Sequence, residues 1–322
     1  MTRRLKIFAI VFILLIGRTN TSLRAQCCAA GNPASADFLQ HSTQKNNLLL
    51  ITAYKYSYSD TYYNFDHIVE VPQIKFSQFN FLSTQFIYGL SKKINVFGEL
   101  GYFIDKTQVL TIQGGQKFQG KGLGDLLLGA RYIAFSKPLE GKQLNVSAGV
   151  KLPAGEFDQT NDNIVLPLSL QPSTGTTKFN GSACYTYHKP GKRFGGFILI
   201  SLEMSSIISS PNFYYKYGNF ISTNISGTYK LNDYCSFSLQ SRLESRDKDK
   251  RASNVKVEST GSKAVFVAPS VQFFFSRNWA LTAQLDFPVY KYMNGYQLTN
   301  KYGSNVNISK RLIFKSKEKE IK

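Results

Sequence analysis

The chain has 322 residues and a formal charge of +19, with 43% hydrophobic and 14% aromatic residues. That is too apolar and too aromatic for a disordered chain. It is also too polar for a bundle of transmembrane helices, each of which needs about 20 consecutive apolar residues. Four cysteines do not make a disulfide scaffold, so the composition leaves a β-rich protein.

Residues 1–25 read as a secretory signal peptide. Arg3, Arg4 and Lys6 precede the apolar run Ile7–Ile16, which is too short for a bilayer core of roughly 30 Å, and the segment ends on Ala25. Cleavage there removes Arg3, Arg4, Lys6, Arg18 and Arg24, takes the formal charge from +19 to +14, and leaves Gln26 as the mature terminus. Lipidation of Cys27 would want a small residue before it, and Gln26 is not one. Cys27 and Cys28 could hold a soft metal or join a disulfide in an oxidising compartment, but no His or further Cys lies near them. The reading is therefore no metal and no cofactor. Residues 26–46, with Pro33 and many small or polar residues, carry no strand pattern and are expected to form a periplasmic lead or a plug inside the fold.

From residue 47 one habit repeats: about 10–14 residues of alternating character, then a connection. In 143–153, Leu144, Val146, Ala148, Val150 and Leu152 share one face, opposite Asn145, Ser147, Gly149 and Lys151. Segments 219–231, 264–275 and 278–288 behave alike, and a period of 2 marks strands with one apolar and one polar face. The pattern predicts twelve strands: 47–58, 76–90, 94–104, 122–135, 143–153, 176–188, 193–205, 219–231, 234–244, 264–275, 278–288 and 300–314. Connections of a few residues alternate with long ones at 59–75, 105–121, 154–175, 206–218, 245–263 and 289–299.

An even strand count with short turns at one end and long loops at the other predicts an all-β fold. The expected architecture is an antiparallel transmembrane β-barrel over 47–314, with short periplasmic turns and long extracellular loops. A soluble β-sandwich would also alternate, but its loops need not, and central strands would rarely keep Ser, Asn, Gln and Thr on their second face. Tyr54, Tyr56, Tyr58, Tyr62 and Tyr63, then Phe213, Tyr214, Tyr215 and Tyr217, then Tyr290, Tyr292 and Tyr296, cluster near strand ends as interfacial girdles would. The last strand closes on Phe314, and the charged octapeptide 315–322 follows as a solvated tail.

Gly122-Leu123-Gly124-Asp125, then Gly129-Ala130-Arg131-Tyr132 and Gly149-Val150-Lys151-Leu152-Pro153-Ala154-Gly155, resemble the outer-membrane barrel family of the phenol-degradation meta-pathway. The chain is similar to its Bacteroidota-like subgroup, in which a pair like Cys27-Cys28 opens the mature protein. The resemblance implies a transporter that passes small, often hydrophobic molecules across the outer membrane. The residues have their own account: glycine in a strand permits a bend or a close backbone approach, and Pro153, without an N–H, suits the point where a strand leaves the membrane.

Parity along the strands turns Glu99, Asp125, Arg131, Lys151, Lys178, Arg242, Glu244, Asp286 and Arg311 toward the lumen, where charge is tolerated and tunes selectivity. Mutual pairing that fills a narrow barrel is preferred over a ladder that reads a solute. Catalysis is not expected, because the loop-borne grouping available is His67 beside Asp66 with Ser57 and Ser59 upstream, and neighbours in a strand point apart. His188 falls at a periplasmic strand end, Cys184 on the lumen face and Cys235 on the lipid face. The expected function is passage of a small, hydrophobic or anionic solute by a monomeric barrel in contact with outer-membrane lipid and lipopolysaccharide. The alternative is a non-transporting barrel whose long loops bind a partner. Nucleic acid is not an expected partner, since no basic stripe sits on a reading module.

Overall fold

The computed structural model describes residues 41–314 except 72, 112–114 and 211–212. The expected signal peptide, Cys27, Cys28, most of the expected lead or plug and the 315–322 tail lie outside the described residues. The main elements are β1 (Asn47–Phe65), β2 (Ile74–Gly89), β3 (Ile94–Leu110), β4 (Lys117–Leu123), β5 (Leu126–Lys137), β6 (Lys142–Leu152), β7 (Lys178–His188), β8 (Phe194–Ser205), β9 (Phe220–Lys230), β10 (Cys235–Arg246), β11 (Ser262–Ser276) and β12 (Trp279–Ile313). Apart from β4 and β5, sequence neighbours pair antiparallel, and β12 returns to β1 with Leu48 opposite Leu312 and Tyr54 opposite Val306, which closes the sheet. β4 and β5 lie end to end along β3, while the two arms of β12 pair with β11 and β1, so the wall has twelve staves.

Closure leaves no exposed edge, and the two faces then part company. Along one outward row Val306, Tyr54, Leu82 and Tyr102 are register neighbours, and each is between 40 and 44% exposed. Ile198, Ile200 and Leu202 continue the outer face on β8, and Ile221 and Ile225 on β9. So wide a belt of exposed apolar side chains has no place in water and fits a hydrocarbon surround. Inside, the row Arg131–Ser147–Ser182–Ser201–Ser222–Glu244 crosses six staves and is polar throughout.

Turns 90–93, 138–141, 189–193, 231–234 and 277–278 all lie at one end, beside both described termini: Phe314 N–H donates to the Asn46 carbonyl at 2.9 Å and Asn46 N–H to that of Gly89 at 2.8 Å. In bacterial barrels the short turns are periplasmic. The staves at the other end are longer than the alternation predicts. β1, β3 and the arms of β12 run on as paired ribbon through most of 59–65, 105–110 and 289–299, so three expected long loops are largely ladder. Polar and aromatic residues carry a strand past the membrane as readily as a loop, which is why the composition there read as loop.

The lumen also departs from expectation on one side. Leu49, Ile51, Ile87, Phe97 and Leu127 form a buried apolar cluster inside the wall, and Phe79, Phe81 and Phe103 form a second. The first three staves and β5 therefore carry apolar residues inward as well as outward. Glycine makes room for the rings: a Cβ on Gly129 would meet the Phe97 ring at 2.4 Å, and one on Gly101 the Phe81 ring at 2.0 Å.

Candidate functional site

Loop 153–177 does not project outward. Leu166, Leu170, Gln171 and Ser173 are buried, so the loop folds into the extracellular half of the barrel. The Gly-rich motif explains the hold. Gly122 adopts φ +136°, a region closed to most side chains, and the strand breaks at Gly124–Asp125 between β4 and β5. The break frees the Asp125 carboxylate from the ladder's regular course to catch the loop. It accepts from Ser173 Oγ at 2.7 Å, Thr174 N at 3.1 Å and Thr174 Oγ1 at 2.6 Å.

Further bonds complete the roof. Lys106 Nζ donates to the Gln171 carbonyl at 2.8 Å, and Gln159 Nε2 donates to the Lys121 carbonyl at 2.6 Å. The Gln171 amide donates to the carbonyls of Leu166 and Gln159, which stiffens the loop itself. Backbone crowding demands glycine at two points here, since a Cβ on Gly155 would sit 1.7 Å from the Leu123 oxygen and one on Gly120 2.0 Å from that of Leu170.

Beneath this roof lies a cavity of about 980 Å³, counted with the space at its mouth. Phe81, Phe103, Leu127 and Leu168 give it an apolar side. Glu99, Lys106, Asp125, Lys151, Lys178, Arg246 and Asp249 supply charge. Lys151 and Lys178 are direct cross-strand partners, an arrangement that repels on its own. Glu203 lies between them and accepts from each ammonium at 2.9 Å. All three are buried, so removal of Glu203 would leave two uncompensated charges.

A second space of about 780 Å³, counted with the open bore, occupies the periplasmic half, lined by Ser226, Thr228, Gln240, Gln284, Asn305 and Asn307 with His41 at its edge. Residues 41–46 enter from below and are tied to the wall. Thr43 N–H donates to Asn95 Oδ1 at 3.1 Å, Asn95 Nδ2 returns a bond to the Thr43 carbonyl at 2.9 Å, and Gln143 Nε2 reaches Ser42 Oγ at 2.6 Å. Burial, then the charges of Arg131 and Arg311, hold the His41 imidazole well below its ordinary range, to about 4.

The expected lumen residues fall into separate groups. Lys151 joins Lys178 at Glu203. Arg242 bonds Glu244 at 2.7 Å and Asp286 at 3.1 Å, and its guanidinium stacks over the Phe266 ring. Arg131 is buried over the Phe97 ring and donates to Ser147 Oγ at 3.0 Å. Glu99 accepts from Gln85 Nε2 at 3.0 Å. Arg311 sits exposed at the periplasmic mouth, near His41. Sequence parity missed Glu203, Lys55 and Arg246, although Glu203 alternates with the outward residues Leu202 and Met204 and could have been found that way.

Two girdle assignments change. Tyr62 is buried against Ile74 and Leu298, and Tyr215 is buried with its hydroxyl donating to Asp249 at 2.5 Å. His67 and Asp66 do meet, at 3.4 Å, because Phe65 turns the chain with φ +55°. Both are open to solvent while Ser57 and Ser59 face the lumen, so the four do not converge as a nucleophile with its base.

A closed antiparallel wall, apolar outside and closed to edge pairing, with a polar and charged interior, defines an outer-membrane β-barrel. The family model described as "Putative MetA-pathway of phenol degradation" matches residues 60–299, and the chain belongs to that family. Among curated proteins none matches the chain. An outer membrane channel from Pseudomonas putida F1 has the same fold, with a TM-score of 0.67 and 14% identity over 87% of this chain and 99% of that one. Weaker likenesses reach the translocator domain of autotransporter NalP from Neisseria meningitidis (TM-score 0.47, 9% identity, 85% and 91% covered). Another is the CymD monoaromatic hydrocarbon channel (TM-score 0.43, 8% identity, 84% and 90% covered).

Proposed function

We propose that the barrel passes a small solute across the outer membrane, entering from outside into the roofed cavity and leaving through the polar lower space. The observation that carries this reading is the upper cavity itself, a space with an apolar side and a charged side held under one loop. A barrel serving only as a scaffold could fill that space with side chains, as small barrels do. The family's description, phenol degradation, is consistent with a compact aromatic or otherwise apolar solute. Glu99, Asp125, Lys151 and Lys178 act at the upper cavity in this reading, while Arg131, Arg242, Glu244, Asp286 and Arg311 shape the wall and lower mouth.

In this reading residues 26–46 serve as the plug rather than a free periplasmic lead, a role supported by the docking of Ser42 and Thr43 on the wall. The basic excess suits a lipopolysaccharide leaflet: Lys216, Lys250 and Lys256 are register neighbours on a small sheet of the outer loops, and phosphate would relieve their repulsion. The barrel works as a monomer in this reading. Purified barrel in planar bilayers tests passage directly. Discrete conductance with a reversal potential under a salt gradient is expected, and a correctly folded barrel that never conducts, with or without residues 29–44, would refute it.

A further inference from the structure

The upper cavity offers more than space. On its charged side Lys151, Lys178 and Arg246 gather around one carboxylate, Glu203, which bonds both lysines at 2.9 Å. Arg246 stacks over the Phe220 ring at 4.8 Å and, among the described residues, pairs with no carboxylate. A planar guanidinium so placed keeps its fork of donors for a carboxylate that arrives from the lumen.

The other acids of the cavity are already engaged. Asp125 accepts three bonds from Ser173 and Thr174, Asp249 accepts from the Tyr215 hydroxyl and the Gly218 N–H, and Glu99 accepts from Gln85. They therefore hold loops and wall in place with neutral donors, and they leave Arg246, which pairs with no carboxylate among the described residues, beside the Glu203-bound Lys178 as the cationic edge. The Lys178 ammonium also lies 4.8 Å from the centre of the Tyr217 ring, so an aromatic group borders the cations as well.

Across the same cavity the Phe81 and Phe103 rings pack with centroids 4.5 Å apart, beside Leu127 and Leu168. A solute that satisfies both sides has a flat apolar body and one anionic group. We infer that Lys178 and Arg246 form an anion subsite of the upper cavity and that the preferred solutes are aromatic carboxylates. The inference rests on the passage reading only for its place on a route; the binding it requires can be measured without transport.

The test is calorimetric titration of the full-length barrel folded in detergent, with benzoate, benzamide and acetate as probes. Benzoate should bind saturably, with benzamide and acetate about tenfold weaker or worse. Arg246→Gln should weaken benzoate about tenfold and leave benzamide unmoved, and Arg246→Lys should retain most of the affinity. Glu203→Gln should act in the opposite direction and tighten benzoate, because it removes the competing carboxylate. Heat-modifiable migration in gels verifies the fold of every variant. Equal affinity for benzoate and benzamide, or an Arg246→Gln barrel that binds benzoate as well as the parent, would overturn the subsite. A barrel that binds benzoate as described yet conducts nothing would leave the subsite standing and overturn the passage reading instead.

Discussion

Asp125→Ala isolates what holds the roof. The carboxylate anchors loop 153–177 through three hydrogen bonds, at 2.6, 2.7 and 3.1 Å, and no ladder bond of the wall depends on it. A hydrogen bond to a charged group contributes about 1.5–3 kcal/mol. The three share one acceptor, and lumen water can replace part of what is lost, so the net loss comes to about 3 kcal/mol. That shifts the balance between the docked and released loop on the order of 100-fold toward release. The Lys106 bond to Gln171 and the buried Leu170 remain, so the loop loosens without unfolding. In single-channel recordings the variant should show larger or more variable conductance than the parent, while its heat-modifiable gel shift is retained. Asp125→Asn, which keeps an acceptor but loses the charge, should fall between them. Unchanged conductance and noise in a correctly folded Asp125→Ala barrel would show that the loop does not limit the passage, and the account of the Gly122–Asp125 motif as its latch would fail.

Neighbouring residues test the two faces of the wall. Ile225→Arg places a charge at an outward position 51% exposed to lipid and should cost roughly 2–4 kcal/mol of folding stability in bilayers, whereas Ser226→Arg faces the lower cavity and should fold almost normally while altering ion selectivity. Equal urea midpoints for the two would contradict the facing. An epitope inserted at the exposed Asn254 should be labelled on intact cells and one at Gly191 only after permeabilisation; the reverse result would invert the topology. His41 is held neutral, with its affinity for a proton lowered to about 4 in the docked segment against about 6.5 when free. Docking of residues 41–46 is therefore at full strength above pH 6.5, weakens as the pH falls from 6.5 to 4, and loses at most about 3 kcal/mol. Conductance should rise over that window, and His41→Phe should flatten the profile; a His41→Phe barrel with the parent's pH dependence would exclude this histidine as its source.

The wall was legible in the sequence because a strand that borders lipid must alternate, and strands 143–153, 219–231 and 264–275 do so with few exceptions. Their predicted ends lie within two residues of β6, β9 and β11. The alternation of short and long connections fixed the count of twelve staves and placed both termini at one end. Parity also turned Lys151, Lys178 and Arg242 inward without any knowledge of their partners.

What parity could not supply is anything that depends on a second strand or a loop. Leu49 and Ile51 follow the same local rule as their outward neighbours Leu48 and Leu50, and only closure of the barrel decides that they meet Ile87, Phe97 and Leu127 in the lumen. Glu203 lies 25 and 52 residues from the lysines it joins. The fold of loop 153–177 into the barrel rests on Asp125, some 48 residues from Ser173, and on glycines whose missing side chains matter only because another backbone lies against them. A period of 2 is set by the geometry of one strand and its solvent, so the sequence carries it residue by residue. The lumen's chemistry is set by which staves face one another across the bore, and that is decided only when the sheet closes.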